Sequence, residues 1–339
     1  MRLLKNAFKI ICAGLTAVAV LSVLLCAYSI TPVHIDNPKG NTDYVWPSGA
    51  VWVRMTEGTS WGRFDQNGFN NMKVINNPDI LILGSSHMEA TYIRQSETVA
   101  SRLNSMFDGK HQAYNLGVSN HNFYKACQYV PDNLEMYHPK YIVIESSTTY
   151  LDPNRVYEAV NHSIYKTQSH STGIIGTLQK IPFVRLVYQQ SETGLIGLFV
   201  PGYSSEQIEE PANEPYDQIS DAPYDMLFGF LSAQEQKYNA KIIIFYHPPE
   251  TLHEDGTISF YEADYLRKFT EKAQQYNIAF IDMTKPFEDM YYNEHHLPHG
   301  FITGEIGEGH LNRYGHKAIA DEVYRVICAL GEEQKDAND

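Results

Sequence analysis

The sequence predicts an α/β fold: a mainly parallel five-stranded sheet between two layers of helices, preceded by one transmembrane helix. Short apolar runs alternate with longer segments of helical spacing, which is typical of a parallel sheet covered by helices on both faces. Polar turns follow the first three apolar runs. Because the carboxyl ends of parallel strands meet at one edge of a sheet, these turns are expected to lie close together.

The N-terminal segment is predicted to cross a membrane. Residues 10–30 carry no charge and would form a helix of about 31 Å, long enough to span a bilayer. Three basic residues precede this stretch, which predicts a cytoplasmic tail at residues 1–9 and an extracytoplasmic body. A cleaved signal peptide is the alternative, but its apolar region is usually about 7 to 15 residues long. We therefore favour an uncleaved anchor and a single-pass protein of the cell membrane.

The composition excludes some classes of protein. With 43% hydrophobic and 12% aromatic residues, the 339-residue chain can bury a sizeable core. Its net charge of −14 disfavours nucleic acid as a partner, because the phosphate backbone would be repelled. Cys12 and Cys26 lie in the apolar stretch, and the spacing of Cys127 and Cys328 fits neither a disulfide framework nor a zinc motif. No cofactor is expected.

The rest of the chain divides into a lead-in, one main domain and a tail. Residues 31–75 are rich in turn-forming residues and predict a linker with a small β-rich unit that packs on the main domain, residues 76–330. The predicted strands of that domain are residues 80–83, 112–116, 141–145, 241–246 and 278–281. The predicted helices are residues 88–107, 123–134, 226–238, 261–276 and 314–330. An insertion at about residues 151–223 interrupts the pattern, and residues 331–339 form the tail.

A serine and a histidine stand where such a sheet would bring them together. The first strand runs into Gly84-Ser85-Ser86, at the carboxyl edge of the sheet and the start of a helix, where α/β folds bind ligands. An ordinary strand-to-helix turn is the alternative. A Gly- and His-rich segment, residues 307–316, leads into the last helix and contains His310. A histidine that takes the proton of a serine hydroxyl makes that hydroxyl nucleophilic, so Ser86 and His310 are predicted to form a catalytic pair.

Four short blocks of the sequence resemble those of SGNH (GDSL-like) hydrolases in order and spacing. They are Gly84-Ser85-Ser86, residues 115–120, residues 142–145, and His310 with Asn312 and Gly315. The resemblance covers about residues 76–330 and implies a three-layer αβα fold. It also implies that Ser86 is the nucleophile and His310 the general base.

The same resemblance implies an oxyanion hole and an acid that orients the histidine. The oxyanion positions match Asn120, where the family usually has glycine, and Thr148, where it usually has asparagine. The family's acid lies three residues before the histidine, and that position is Gly307 in this chain. Glu308 is the nearest substitute and Glu305 the next. A Ser–His dyad without an acid is the alternative.

With its N-terminal anchor, the chain is similar to membrane-tethered SGNH proteins that modify extracytoplasmic glycans. This similarity implies an esterase or O-acyltransferase that acts on an acyl ester, with acetyl expected, of a cell-surface or secreted carbohydrate. It also implies a membrane acyltransferase as a further partner. The alternative is a non-catalytic, membrane-anchored glycan-binding or assembly factor with a degenerate site.

The other histidines are expected to play smaller parts. His87 and His121 flank the predicted site and are expected to make local hydrogen bonds. The histidines between residues 295 and 316 fit no helical His-x-x-x-His template, so no metal site is predicted. Residues 291–301 are expected to form a loop that faces a glycan or acts as a lid.

Overall fold

The chain begins with a long apolar helix, α1 (Arg2–Tyr28). A computed structural model describes residues 2–28, 34–55, 57–163, 181, 183–184, 215–260, 264–304 and 306–336, so most of the predicted insertion lies outside the described residues. Within α1, the stretch Lys5–Leu24 has a mean hydropathy of 2.2, and 6% of it is buried in the protein. The helix is therefore long and apolar enough to cross a membrane, a property that signal sequences share.

Two small hairpins of the lead-in pack against the sheet and its helices. The first pairs β1 (Ile35–Asp36) with β2 (Tyr44–Val45), and the second pairs β3 (Val51–Arg54) with β4 (Ser60–Arg63). Trp46, Trp52 and Phe64 form a small buried core beside them. The indole N–H of Trp46 donates to Oε1 of Glu89 at 2.7 Å, and this buried hydrogen bond ties the lead-in to the first helix after the sheet begins.

The centre of the molecule is a parallel five-stranded sheet, which confirms the predicted fold class. The strands that follow the lead-in are β5 (Ile80–Leu83), β6 (Ala113–Asn115), β7 (Tyr141–Ser146), β8 (Lys241–Tyr246), β9 (Glu250–Leu252), β10 (Ile258–Phe260) and β11 (Ala279–Asp282). Five of them pair in parallel in the order β11-β8-β7-β5-β6, while β9 and β10 form an antiparallel hairpin. Because β6 and β7 lie on opposite sides of β5, the winding reverses between β5 and β7. Open α/β sheets bind ligands at such a switch point.

Helices cover both faces of the sheet. They are α2 (Ser86–Glu89), α3 (Val99–Phe107), α4 (Phe123–Gln128), α5 (Val130–Tyr137), α6 (Pro153–Val160), α7 (Ala222–Tyr238), α8 (Asp264–Gln275), α9 (Thr284–Glu294) and α10 (Arg313–Asp336). Leu81 and Ile142 pack with α4 to α8 on one face, and Ile82 and Val143 pack with α3, α9 and α10 on the other. Successive residues of a strand point to opposite faces, so each strand contributes to both cores. This is the predicted three-layer αβα arrangement.

Several helices and hairpins differ from the predicted elements. The predicted helix over residues 88–107 is broken, because α2 ends at Ala90 in a left-handed conformation (φ 54°) and α3 begins only after Thr98. The predicted helix over residues 123–134 is divided at Tyr129 into α4 and α5. A hairpin that was not predicted, β12 (His299–Gly300) with β13 (Ile306–Leu311), precedes α10. Two glycines inside β13 hid its strand pattern in the sequence.

Candidate active site

Ser86 is positioned at the carboxyl end of β5 by a tight turn. Ser85 caps α2, because its Oγ accepts the N–H of His87 at 3.2 Å. Buried Glu145 on β7 accepts hydrogen bonds from the N–H of Ser85 (2.6 Å) and from its Oγ (2.8 Å). A Cβ on Gly84 would lie 2.3 Å from Oε2 of Glu145, so a side chain does not fit there. The turn is therefore held against the neighbouring strand at the switch point.

His310 reaches Ser86 from the β12–β13 hairpin. Its Nε2 lies 2.8 Å from Oγ of Ser86, a hydrogen-bond distance between residues that are 224 positions apart. The contact that the sequence predicts between these two side chains is therefore present. Tyr92 stacks on the imidazole, with ring centroids 3.9 Å apart and an interplanar angle of 24°. This stacking and the bond to Ser86 fix the plane of the imidazole.

The second ring nitrogen of His310 is held by a carboxylate from the lead-in. Both oxygens of Glu57, in the loop between β3 and β4, lie 2.9 Å from Nδ1, and Oε1 also accepts the backbone N–H of His310 at 2.7 Å. Burial alone would raise the pKa of Glu57, but the hydrogen bonds and charge of His310, with the charge of Arg54, outweigh burial and lower it. An ionised Glu57 keeps the ring hydrogen on Nδ1. The lone pair of Nε2 then faces the serine hydroxyl.

Two glycines allow the Glu57 loop and the hairpin to approach each other. Gly309 has a φ of 86°, and a Cβ there would lie 2.5 Å from Oε1 of Glu57. Gly58 has a φ of 71°, and its Cβ would lie 2.3 Å from the carbonyl oxygen of Tyr92. Left-handed backbone and the lack of space both favour glycine at these positions. The contact between Glu57 and His310 therefore depends on the residues beside each of them.

The structure corrects the predicted orienting acid. Glu308 is exposed on β13, whereas the carboxylate in contact with His310 Nδ1 belongs to Glu57. Gly307 and Gly309 both have positive φ, so the usual alternation of a strand does not apply to the residue between them. Glu305 lies outside the described residues. The geometry also disfavours the alternative of a Ser–His dyad without an acid, because the carboxylate of Glu57 contacts the histidine. The sequence Glu57-Gly58 indicates a bend, but it contains no signal that points to His310.

The two predicted oxyanion residues make other contacts. Thr148 donates its N–H to Oγ of Ser146 at 3.4 Å and its hydroxyl to the carbonyl of Tyr150 at 3.3 Å. Asn120 is exposed and has a φ of 63°, and its side chain hydrogen-bonds the hydroxyl of Tyr44. That Asn120 and Thr148 form the oxyanion hole stays a prediction. For Asn120, the predicted donor is its backbone N–H.

A cavity of about 510 Å³ is lined in part by Tyr92, the residue that stacks on His310. Aromatic rings line much of it; Phe301 is apolar, and the others carry polar ring or hydroxyl atoms: Tyr92, Tyr291, His296 and Tyr314. Gly58, next to Glu57, is also part of the wall. Residues 291–301, predicted as a loop, form the end of α9, a turn and β12, and several of them face this cavity.

Behind the serine turn lies a second group of histidines and carboxylates, which is buried. Nε2 of His247 lies 3.0 Å from Oε1 of Glu145, and Nδ1 of His299 lies 2.6 Å from Oε2 of Glu250. The two inner nitrogens, Nδ1 of His247 and Nε2 of His299, face each other at 3.3 Å. Burial and the neighbouring His299 lower the pKa of His247 well below 6.5, so its ring is neutral.

His87 completes this buried group. Its ring centroid lies 4.7 Å from that of His247 and 5.0 Å from that of His310, so it stands between the two groups of histidines. Its Nδ1 accepts the N–H of Leu311 at 3.1 Å, a bond between residues 224 positions apart and not the local hydrogen bond that was predicted. Burial and the nearby His247 lower the pKa of His87 well below 6.5.

Two other histidines have packing roles away from Ser86. His121 is buried, with its Nε2 3.8 Å from a carboxylate oxygen of Asp43, and burial lowers its pKa to about 4. His316 is buried at the start of α10, where its Nδ1 accepts the N–H of Val99 at 3.3 Å.

Comparisons with known proteins show a distant likeness in fold. No family model and no curated protein matches the chain. Similar solved structures include an acetyl xylan esterase, AlAXEase (16% identity, TM-score 0.38), which covers 73% of this chain and 99% of its own. A second is the psychrotrophic esterase EstA from Pseudoalteromonas sp. (16% identity, TM-score 0.39); the match covers 78% of this chain and 100% of EstA. A third is a protein from Desulfitobacterium hafniense described as lipolytic and of the G-D-S-L family (11% identity, TM-score 0.36); the match covers 74% of this chain and 99% of that protein. At these identities the likeness concerns the fold, and the chemistry has to be argued from the site.

Proposed function

We propose that the chain is a serine-dependent esterase or O-acyltransferase with Ser86 as nucleophile, His310 as general base and Glu57 as orienting acid. The observation that carries this proposal is the continuous contact from Ser86 Oγ through both ring nitrogens of His310 to Glu57. An imidazole held in this tautomer accepts the serine proton and makes the hydroxyl a nucleophile. An acid at this position also weakens the alternative of a non-catalytic binding or assembly factor, which a missing acid had favoured.

Each step of the reaction assigns a proton to a named atom. Ser86 Oγ attacks the acyl carbonyl carbon while its proton passes to Nε2 of His310, and Glu57 stabilises the imidazolium through Nδ1–H. The tetrahedral intermediate collapses, the ester C–O bond breaks, and the leaving hydroxyl takes the proton from Nε2. Water or a sugar hydroxyl then attacks the acyl carbon of the acyl-enzyme and gives its proton to Nε2. The bond from this carbon to Ser86 Oγ breaks, and Nε2 returns the proton to Oγ, which restores the free serine. The backbone N–H of Asn120 is the proposed donor to the oxyanion, with Thr148 as the second once its N–H leaves Ser146.

The proposed substrate is an acyl ester, with acetyl expected, of a cell-surface or secreted carbohydrate. The cavity that Tyr92 lines supports this choice, because its aromatic rings offer apolar faces to a sugar ring, while the tyrosine hydroxyls and the ring nitrogens of His296 can bond sugar hydroxyl groups. The proposed location is the outer face of the cell membrane, with α1 as a single-pass anchor and a membrane acyltransferase as partner. The hydropathy of α1 and the basic residues before its apolar part support this orientation.

Labelling with a serine-reactive fluorophosphonate tests the chemistry. The full chain in detergent should be labelled and should release acetate from acetylated glycans, while Ser86→Ala should lose both properties. Ser85→Ala is the matched control, since its Oγ bonds Glu145 and not His310; it should keep measurable labelling. Labelling of Ser86→Ala equal to that of the unmodified chain would refute the proposed nucleophile and favour the non-catalytic alternative. Acetate release compared with transfer to an added sugar acceptor separates an esterase from a transferase.

A reporter tests the orientation. Fused after Leu330, it should be extracytoplasmic, and the chain should remain in membranes after a carbonate wash. A cytoplasmic reporter contradicts the proposed topology, and release into the medium indicates cleavage of α1.

A further inference from the structure

In the buried histidine group, His247 and His299 each have one ring nitrogen beside a carboxylate and the other beside the neighbouring ring. His247 Nε2 and His299 Nδ1 each point at a carboxylate, at 3.0 and 2.6 Å, so a single hydrogen on each ring would lie on that outer nitrogen, where the carboxylate accepts it. The inner nitrogens, His247 Nδ1 and His299 Nε2, are therefore both lone-pair acceptors, and they face each other at 3.3 Å. Two lone pairs at this distance repel each other unless a proton or a cation lies between them.

The charge of the group favours a cation. The side chains of Glu145 and Glu250 are 3% and 0% exposed. In the part of the chain that the structure describes, neither carboxylate contacts a lysine or an arginine. A buried carboxylate is costly unless a positive charge lies nearby. A divalent cation between the histidines would supply a charge equal and opposite to that of two carboxylates, whereas a single shared proton would supply half as much.

We propose that His87, His247 and His299 bind a divalent transition-metal ion, with Zn²⁺ as the best match. Tetrahedral zinc with Zn–N bonds of about 2.0–2.1 Å places its ligand nitrogens about 3.4 Å apart, close to the 3.3 Å between His247 and His299. One ligand atom from each of the three histidines lies within 4.8 Å of the others. If His87 binds the ion through Nε2, its ring hydrogen has to lie on Nδ1. Nδ1 can then no longer accept the N–H of Leu311, so this hydrogen bond would be lost when the metal binds.

The carboxylates have the positions of outer-shell partners. Histidine ligands of metals commonly donate their second ring N–H to a carboxylate, which fixes the tautomer and makes the ligating nitrogen more basic. Glu145 and Glu250 are placed to accept such hydrogen bonds from His247 and His299. Glu145 also bonds both polar groups of Ser85, so the proposed ion would be linked to the serine turn through one residue.

The proposed ion would join three separate elements of the site. His87 lies on α2 next to Ser86, His247 follows β8 directly, and His299 is on β12 of the hairpin that carries His310. The ion would therefore position the nucleophile turn relative to the base. Its binding does not depend on the proposed reaction, because none of the three histidines contacts the Oγ of Ser86.

Metal content and optical spectra test the proposal. The full chain, purified in detergent through an affinity tag without histidines, should contain about one Zn²⁺ per chain by mass spectrometry. After removal of metal with a chelator, added Co²⁺ should give the visible d–d absorption of a tetrahedral site, and Zn²⁺ should abolish it. His247→Ala and His299→Ala should lose the ion, and Glu250→Gln should weaken Zn²⁺ affinity roughly 10- to 100-fold.

Two controls isolate the site. His253→Ala removes an exposed histidine that bonds Ser259, and Ser86→Ala removes the proposed nucleophile; both should keep the full metal content. If the histidine variants do not fold, the unmodified chain decides by itself. Absence of Co²⁺ absorption in it, with the same thermal unfolding temperature in Zn²⁺ and in chelator, would overturn the metal site and leave a shared proton as the explanation. Loss of activity in Ser86→Ala with retained Zn²⁺ separates this inference from the proposed reaction.

Discussion

Two groups built from the same residue types, carboxylates and histidines, lie on either side of the serine turn and differ in burial. The side chains of His310 and Glu57 are 21% and 27% exposed, whereas those of His247 and Glu145 are 2% and 3% exposed. In the exposed pair the free imidazole nitrogen faces a serine hydroxyl. In the buried group it faces the nitrogen of another histidine.

In each group one ring nitrogen of the histidine faces a carboxylate. The difference shows that the group facing the second ring nitrogen decides whether the pair is suited to proton transfer or to binding a cation. A partly exposed imidazole beside a serine hydroxyl can gain and lose a proton during a reaction. A buried imidazole whose lone pair meets another lone pair is suited to holding a cation, and proton transfer there would charge a group that burial keeps neutral. Substitutions in each group should therefore have different consequences, for activity in one and for stability in the other.

The largest expected effect is that of Glu57→Gln on turnover. Glutamine leaves the loop nearly unchanged but does not hold the hydrogen on Nδ1 as a carboxylate does, so kcat should fall by up to about 10⁴-fold. Glu308→Gln is the matched control and should change kcat little, because Glu308 is exposed. Hydrolysis of an acetyl ester measures both. Equal activities of the two variants would mean that the exposed pair is not the catalytic one.

A smaller loss is expected from Gly309→Ala. The added Cβ would lie 2.5 Å from Oε1 of Glu57 and must displace it, and a displacement near 1 Å can cost about 10²-fold in rate. Gly256→Ala controls for backbone strain, since Gly256 has a similar φ of 81° but nothing within 4 Å of its Cβ position. The ratio of the two kcat values measures the effect of displacement alone. A ratio near one would show that the contact tolerates the shift.

The buried group should respond through stability. Glu250→Ala removes the acceptor of His299 Nδ1–H in a buried place, and the free energy of unfolding should fall by about 1–3 kcal/mol. Glu254→Ala, a change at an exposed neighbour, should alter it by less than about 0.5 kcal/mol. Glu57→Gln should cost at most about 1 kcal/mol, because its partner is partly exposed. Urea unfolding in detergent tests this order, and a larger loss for Glu57→Gln than for Glu250→Ala contradicts it.

The smallest expected effect is the pH dependence of the exposed pair. The pKa of Glu57 in the folded chain lies below its usual value of about 4.5, so the ionised carboxylate stabilises the fold above that pH. This contribution is lost as the pH falls through the lowered pKa. The difference in unfolding free energy between the unmodified chain and Glu57→Gln should therefore be constant above about pH 5 and shrink below about pH 4.5. A difference that grows on acidification would show that the pKa is raised instead.

The sequence predicted most of the sheet because its strands carry a local signal. A run such as Ile80–Leu83, buried on both faces, is apolar throughout, and all five predicted strands occur in the sheet within about two residues of their predicted ends. The helices were harder to delimit. Ala90 ends α2 in a left-handed conformation, which is uncommon for alanine, and no glycine or asparagine at this position indicates the end of a helix. The apolar spacing continues past Ala90, so the sequence predicted one continuous helix.

Within the site, the contact between Ser86 and His310 was predictable because it follows from the topology of the sheet. The contact of Glu57 with His310 was not, because it depends on how two distant loops approach each other. Ser86 and His310 each follow from a position relative to the sheet and the last helix. Glu57 is 253 residues from His310 and outside the sheet, and its contact depends on two hairpins that the sequence does not orient. The histidine group was missed for the same reason, because His87, His247 and His299 come from three elements with no fixed spacing.

The origin of Glu57 in the lead-in affects how the chain can be divided or inherited. A boundary at residue 76, just before the first strand of the sheet, looks natural from the sequence, yet it would leave His310 on one piece and its carboxylate on the other. The hairpins after α1 are thus a component of the proposed active site and more than a spacer to the membrane. A protein that received this segment from a relative would also receive that relative's acid. We therefore expect substitutions in the segment to be accompanied by substitutions around His310.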